Sequence, residues 1–179
     1  MATEQLATVI ALPVRGAGTT MGVLRRLIAD DVDDWGRDRG FVHRFWSLAT
    51  LRWSVAVGGT EHLPKRHGAL VIVNARRFAL APLFASLALS EAVGRPVRFA
   101  GRPDVAPLGP ALQRLGALLA DPDEVGGALR AGEIVVVGAD ATASNQHCGA
   151  IDHRYVAVAL AAGVPVLPAA TSSTPTGRA

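Results

Sequence analysis

The stretch Val71-Ile72-Val73-Asn74-Ala75-Arg76-Arg77-Phe78-Ala79-Leu80 reads as an apolar strand that stops at an Asn and a basic turn. The segment after it, Leu80 to Leu89, is apolar but interrupted by Pro82 and Ser86 and closed by Ser90-Glu91. A bilayer span needs roughly 18–20 continuous apolar residues, so a buried helix explains this segment better than a membrane crossing. Working outward from that pair, the pattern predicts strands at Ser54–Val57, Leu70–Val73, Val97–Ala100, Ile134–Val137 and Val164–Leu167, with helical patterns between them. This alternation predicts an α/β fold whose mostly parallel sheet is flanked by helices.

Residues 1–53 read differently, as an N-terminal helical section ahead of an α/β domain at 54–170 and a polar tail at 171–179. A helix from Met21 to Ala29 is separated by the acidic run Asp30-Asp31-Val32-Asp33-Asp34 from a second one, Gly40 to Trp53. On the second helix Phe41, Phe45, Leu48 and Arg52 share one stripe, and Val42, Trp46, Ala49 and Trp53 an overlapping one. Rings and arginines on one helix suit a membrane interface, with the aromatics at the acyl boundary. A helix apolar nearly all round also suits burial against a sheet. The sequence leaves both readings open.

Composition narrows the classes. With 179 residues and 50% hydrophobic side chains, the chain fits one domain with a real core. The formal net charge is only +3, Lys65 is the sole lysine, and aromatics make up 5%, so nucleic-acid binding has little support. Cys148 stands alone, which excludes an internal disulfide and fits a reducing cytoplasm. The N-terminus lacks the pattern of a secretory signal. Gln146-His147-Cys148-Gly149-Ala150-Ile151-Asp152-His153 invites a metal or Cys-His reading, but no matching ligand pair stands elsewhere and neighbouring side chains diverge. No metal is expected, and His62 and His67 read as solvated turn residues.

Several blocks around the opening strand fall into a recognisable order. Val57-Gly58-Gly59-Thr60-Glu61-His62-Leu63-Pro64 precedes it. Arg98-Phe99-Ala100-Gly101-Arg102, Pro107-Leu108-Gly109 and Leu115-Gly116-Ala117 follow, then Gly132-Glu133-Ile134-Val135-Val136-Val137 and Ala162-Gly163-Val164-Pro165-Val166-Leu167-Pro168. The ordered set resembles the glycerolipid (lysophosphatidic-acid type) acyltransferase family over most of the chain after residue 53. In that family a His follows the Asn and an Asp stands five residues after the His. The His takes a proton from the acceptor hydroxyl, and the Asp fixes its tautomer. Here Ala75 and Leu80 occupy those positions. The family's Pro-Glu-Gly-Thr-Arg segment corresponds to Gly138-Ala139-Asp140-Ala141-Thr142, without the Arg and with the acid displaced by one position. Its Asp-Arg after the second block is Asp121-Pro122.

The resemblance therefore implies a glycerolipid-acyltransferase-like fold that has lost conventional catalysis. No catalytic residue is assigned. It implies binding of a lipid or acyl ligand, or of a partner protein, with Asn74, Arg76, Arg77, Arg102 and Asp140 as the candidate ligand residues. Arg98 enters the same weighing, since guanidinium forks hold phosphate well but surface arginines are common. The alternative is a glycerophospholipid-type acyltransferase with rewired chemistry, using Asp140 or His153 as base. No cofactor is implied; acyl-coenzyme A or an acyl carrier protein would be the substrate of an active form. The implied setting is cytoplasmic and peripheral on the inner face of the cell membrane. Leu80 is expected on an apolar packing surface, where a carboxylate would cost several kcal/mol unless paired.

Overall fold

The computed structural model describes residues 31–51, 55–74, 80–139 and 150–171. The elements are α1 (Arg39–Thr50), a 3-10 turn (Thr60–His62), β1 (Ala69–Asn74), α2 (Leu80–Val93), β2 (Val97–Arg102), α3 (Leu108–Arg114), β3 (Ala117–Leu119), α4 (Pro122–Arg130), β4 (Ile134–Ala139), α5 (His153–Ala161) and β5 (Val166–Ala169). The strands form one sheet in the order β3-β2-β4-β1-β5, and every pairing is parallel.

β1 and β4 sit inside the sheet and are apolar at nearly every position, as strands covered on both faces must be. Their register runs unbroken from Ala69↔Ile134 to Asn74↔Ala139. Alternate residues feed two core layers. Val71, Val73, Val97, Phe99, Ile134 and Val136 pack with Leu83 and Leu87 of α2 and with α1 on one face. Leu70, Ile72, Val135 and Val137 pack with Val125 and Leu129 of α4 and Ala159 of α5 on the other. The apolar segment after β1 is the expected buried helix, with Pro82, Leu83, Ser86, Leu87 and Ala88 inside.

The strand expected at Ser54–Val57 does not form over its described part. Val55 and Val57 lie exposed in irregular chain leading to the 3-10 turn, and Ser54 lies outside the described residues. A strand the pattern did not predict, β3, forms instead at the far edge. Its three residues are too few for a periodic signal, and Gly116 turns the chain into it at φ +99°.

The acidic run is no spacer: the carbonyl of its Asp31 accepts the Arg39 N–H at 2.8 Å, where α1 begins. Beyond the run, Asp38 caps α1, accepting the Phe41 N–H at 2.8 Å, and its Oδ2 lies 2.7 Å from Arg114 Nη2. The same Arg114 guanidinium sits 4.3 Å from the Phe41 ring centroid. Phe41, Val42, Phe45 and Trp46 pack on the first core layer, and the Trp46 indole N–H donates to Glu91. Burial against the core thus accounts for Trp46. The large apolar residues that α1 and its C-cap turn outward are Leu48 and Leu51, 70% and 83% exposed. The Met21–Ala29 helix and Trp53 lie outside the described residues.

Arg98 is also not where either sequence reading put it. Its side chain is 1% exposed and held by Asp33 (Nη2–Oδ2 2.7 Å, Nη1–Oδ1 3.1 Å) and Glu133 (Nε–Oε2 3.1 Å). Asp33 Oδ1 also accepts the backbone N–H groups of Trp35 and Arg37. An arginine committed to two carboxylates is neither a surface charge nor an anion pocket.

Candidate functional site

The carboxyl edge of the sheet is the place to look for chemistry. β1 and β4 are neighbours, yet β1 continues through α2 to β2 on one side and β4 through α5 to β5 on the other. α2 and α5 cover opposite faces. In open α/β sheets ligands settle outside the carboxyl ends where connections part this way. Here the paired ends are Asn74 and Ala139, so the basic turn and the displaced acid follow from adjacent strand termini. Ala75, Arg76, Arg77 and Asp140 themselves lie outside the described residues.

Asn74 is engaged with the chain that follows β5. Its Oδ1 accepts the Thr171 N–H at 2.6 Å, and its Nδ2 donates to Thr171 O at 3.0 Å. Thr171, assigned to the polar tail by composition, is therefore tied into the sheet end. Arg102 closes β2 on the other side of β4, about 10 Å from β1 at two strand spacings. The pairing of β2 with β3 shifts between Ala100 and Arg102, where Gly101 takes φ +126°. The Arg102 Nε is buried without a hydrogen-bond partner, and no carboxylate pairs with its guanidinium among the described residues. A half-buried guanidinium with no carboxylate of its own is chemically suited to an anion.

Exposed apolar groups stand at the same edge. Leu80 opens α2 at 46% exposure, and Val105 and Leu108 follow β2 at 65% and 55%. Leu80 is thus only about half covered and not buried in a packing surface. His153 opens α5 and is exposed. The helix starts of α4 and α5 at this edge already carry their own carboxylates, Asp121 accepting from Asp123 N–H and Asp152 from Arg154 N–H. The Arg154 side chain, followed by that backbone bond, holds Asp152 down at a pKa of about 2. An incoming phosphate would meet charge repulsion there.

The opposite, amino edge holds a hollow of about 270 Å³ lined by Arg66, His67, Arg130, Gly68, Gly132 and Gly163 among others. It lies by the carboxyl termini of α4 and α5, whose negative ends suit these arginines and disfavour an anion. No group of three or more His, Cys, Asp or Glu among the described residues could hold a metal, and none of their helices is long and apolar enough to cross a membrane.

Of the candidate residues, the fold places Asn74 and Arg102 on one edge, engages Asn74 with Thr171 and leaves Arg102 without a carboxylate partner among the described residues. Thr171 gave no signal of its own in the sequence, being one polar residue in a polar tail. No protein-family model matches this chain, and neither a curated protein nor a solved structure matches it at a significant level.

Proposed function

We propose that this protein is an acyltransferase-like binding protein that takes an anionic lipid or acyl ligand at the carboxyl edge of its sheet and does not perform conventional acyl transfer. The observation that carries this reading is the adjacency of β1 and β4. It brings the two motif-like blocks to neighbouring strand ends, at the positions where the resemblance expects a base and its partners and this sequence has Ala75 and Leu80. Arg102 supports an anionic head group, and Leu80, Val105 and Leu108 support an apolar chain beside it. A partner protein laid on the same apolar residues is the competing occupant.

The test is titration of the purified protein with a lysophospholipid below its micelle concentration, read by tryptophan fluorescence. Saturable binding is expected, weakened about tenfold in Arg102→Ala, the scale of one charge-assisted hydrogen bond. Absence of saturable binding would remove the lipid reading. In an acyl-coenzyme A release assay with lysophospholipid or glycerol 3-phosphate acceptors, the rate should stay at background. A general base contributes roughly 10²–10⁴-fold and neither Ala75 nor Leu80 can act as one. Robust turnover that falls in Asp140→Asn or His153→Ala would establish the rewired enzyme instead.

Membrane association is part of the proposal, but the structure moves the residues that would carry it. Trp46 is packed and hydrogen-bonded, whereas Leu48, Leu51 and Arg44 lie on the outward side of α1. Co-sedimentation with anionic liposomes is expected to weaken in Leu48→Ser with Leu51→Ser and leave the melting temperature unchanged. Trp46→Ala should instead destabilise the fold by about 2 kcal/mol, less than a fully buried Trp would cost. Unaltered sedimentation of the Leu variant would remove α1 as a membrane contact.

A further inference from the structure

Asn74 ends β1, and the backbone pairing of β1 with β5 runs only to Val73↔Ala169. Beyond that point the Asn74 side chain continues the contact. Its planar carboxamide meets both the N–H (2.6 Å) and the C=O (3.0 Å) of Thr171, as a strand residue would. The Thr171 hydroxyl adds to this, 3.1 Å from Asn74 O and 3.0 Å from Oδ1. Few side chains could do this. Asp has no N–H and would turn an oxygen towards Thr171 O, and Gln is one methylene too long. The sequence places this Asn beside Ala75, where the resemblance would assign it to the reacting site. The geometry gives it another task.

We infer that Asn74 is a positioning residue: it holds the chain just after β5 as a wall of the carboxyl-edge site, so that the backbone at Thr171 shapes what binds there. This rests on the reading of that edge as a binding site. The amide is thereby specified by Thr171, and a ligand gains from Asn74 only through the wall it holds. Losing the clasp should widen the site and weaken binding while the sheet, whose pairing ends one residue earlier, stays folded.

Backbone amide exchange and lysophospholipid binding, measured on the same variants of the full chain, test this. In Asn74→Asp the Thr171 amide should exchange faster and the lysophospholipid should bind about tenfold more weakly, the scale of one lost hydrogen bond. Thr171→Ser keeps every bonding group and should match the parent protein in both readouts. Thr171→Pro removes the N–H donor and the hydroxyl together, outside every strand, and should lower binding at least to the same degree even if Asn74→Asp fails to fold. Unchanged exchange in Asn74→Asp overturns the clasp. Faster exchange with unchanged binding, or full binding by Thr171→Pro, overturns the positioning role and leaves a structural staple. Exchange needs no ligand, so a parent protein that binds no lysophospholipid sinks the proposed lipid function and is told apart from failure of the clasp.

Discussion

Asp33→Ala should lower the stability of this protein by about 3–5 kcal/mol, the usual cost of stranding one member of a buried ion pair. For a chain of this size that is a fall in melting temperature of roughly 10 °C. The reason lies in unequal exposure. The Arg98 side chain is 1% exposed, while Asp33 and Glu133 are 25% and 23% exposed. Without Asp33 the guanidinium keeps one carboxylate, and Arg37, itself 7% exposed, stands close enough to repel it. Adding Arg98→Met to Asp33→Ala removes the stranded charge, and Glu133 can regain water. The double variant should therefore be more stable than Asp33→Ala alone, which chemical denaturation of the four proteins in the cycle would measure. If the double variant is instead the weaker, the arginine stabilises the fold by packing its stem and not through charge.

The same group predicts an acid limit. Burial alone would raise the Asp33 pKa, but the Arg98 hydrogen bonds and the Arg37 and Trp35 N–H groups outweigh it, and the net shift is below the ordinary 3.8. A carboxylate with a depressed folded-state pKa contributes stability in full above its unfolded value. That contribution is lost as pH falls from there through the folded value. Melting temperature should thus fall below about pH 4, and part of that fall should vanish in the Asp33→Ala, Arg98→Met protein.

These residues also mark how far the sequence could be read. The Val-rich runs of β1 and β4 announce strands covered on both faces, because no other arrangement hides four consecutive branched apolar side chains so simply. Their being neighbours is a matter of topology, and a run of valines carries no address. Arg98 could have been suspected. It stands between Val97 and Phe99 in a strand expected to be buried on both faces, so its charge needed partners. What periodicity could not supply was the identity of those partners, 65 residues upstream in an acidic run that reads as a solvated linker and 35 downstream at the foot of β4. The aromatic helix was ambiguous for a related reason. Two overlapping stripes, both apolar, fix no orientation, and the Trp46–Glu91 bond decides it through a residue on a different helix. At the carboxyl edge the basic turn was legible as a strand end, whereas the unpaired state of the Arg102 Nε depends on which neighbours fail to reach it.

Ala75→His with Leu80→Asp should yield a stable protein that still transfers acyl groups poorly. Sequence reasoning expects the carboxylate to damage an apolar surface, but Leu80 is 46% exposed, so an Asp there keeps much of its water. It also opens α2, and an acid in the first turn of a helix gains about 0.3–1 kcal/mol from the helix dipole. The variant should melt close to the parent. Activity is a separate matter, since a base and its orienter are only part of acyl transfer. The acceptor hydroxyl must be held within reach of the base, and positioning of that kind is worth as much as the base itself. The resemblance assigns that holding to a Glu and an Arg, and this sequence has Ala139 and Thr142 in that segment, with its acid displaced to Asp140. A rise of less than about tenfold is therefore expected, against the roughly 10²–10⁴-fold that a base working on a held acceptor supplies. An acyl-coenzyme A release assay run beside a thermal melt separates the two outcomes. A stable variant with a gain above a hundredfold would mean that the acceptor site survives and that only the base and its partner are missing. The binding role proposed for the carboxyl edge would then give way to that of an enzyme silenced at two residues.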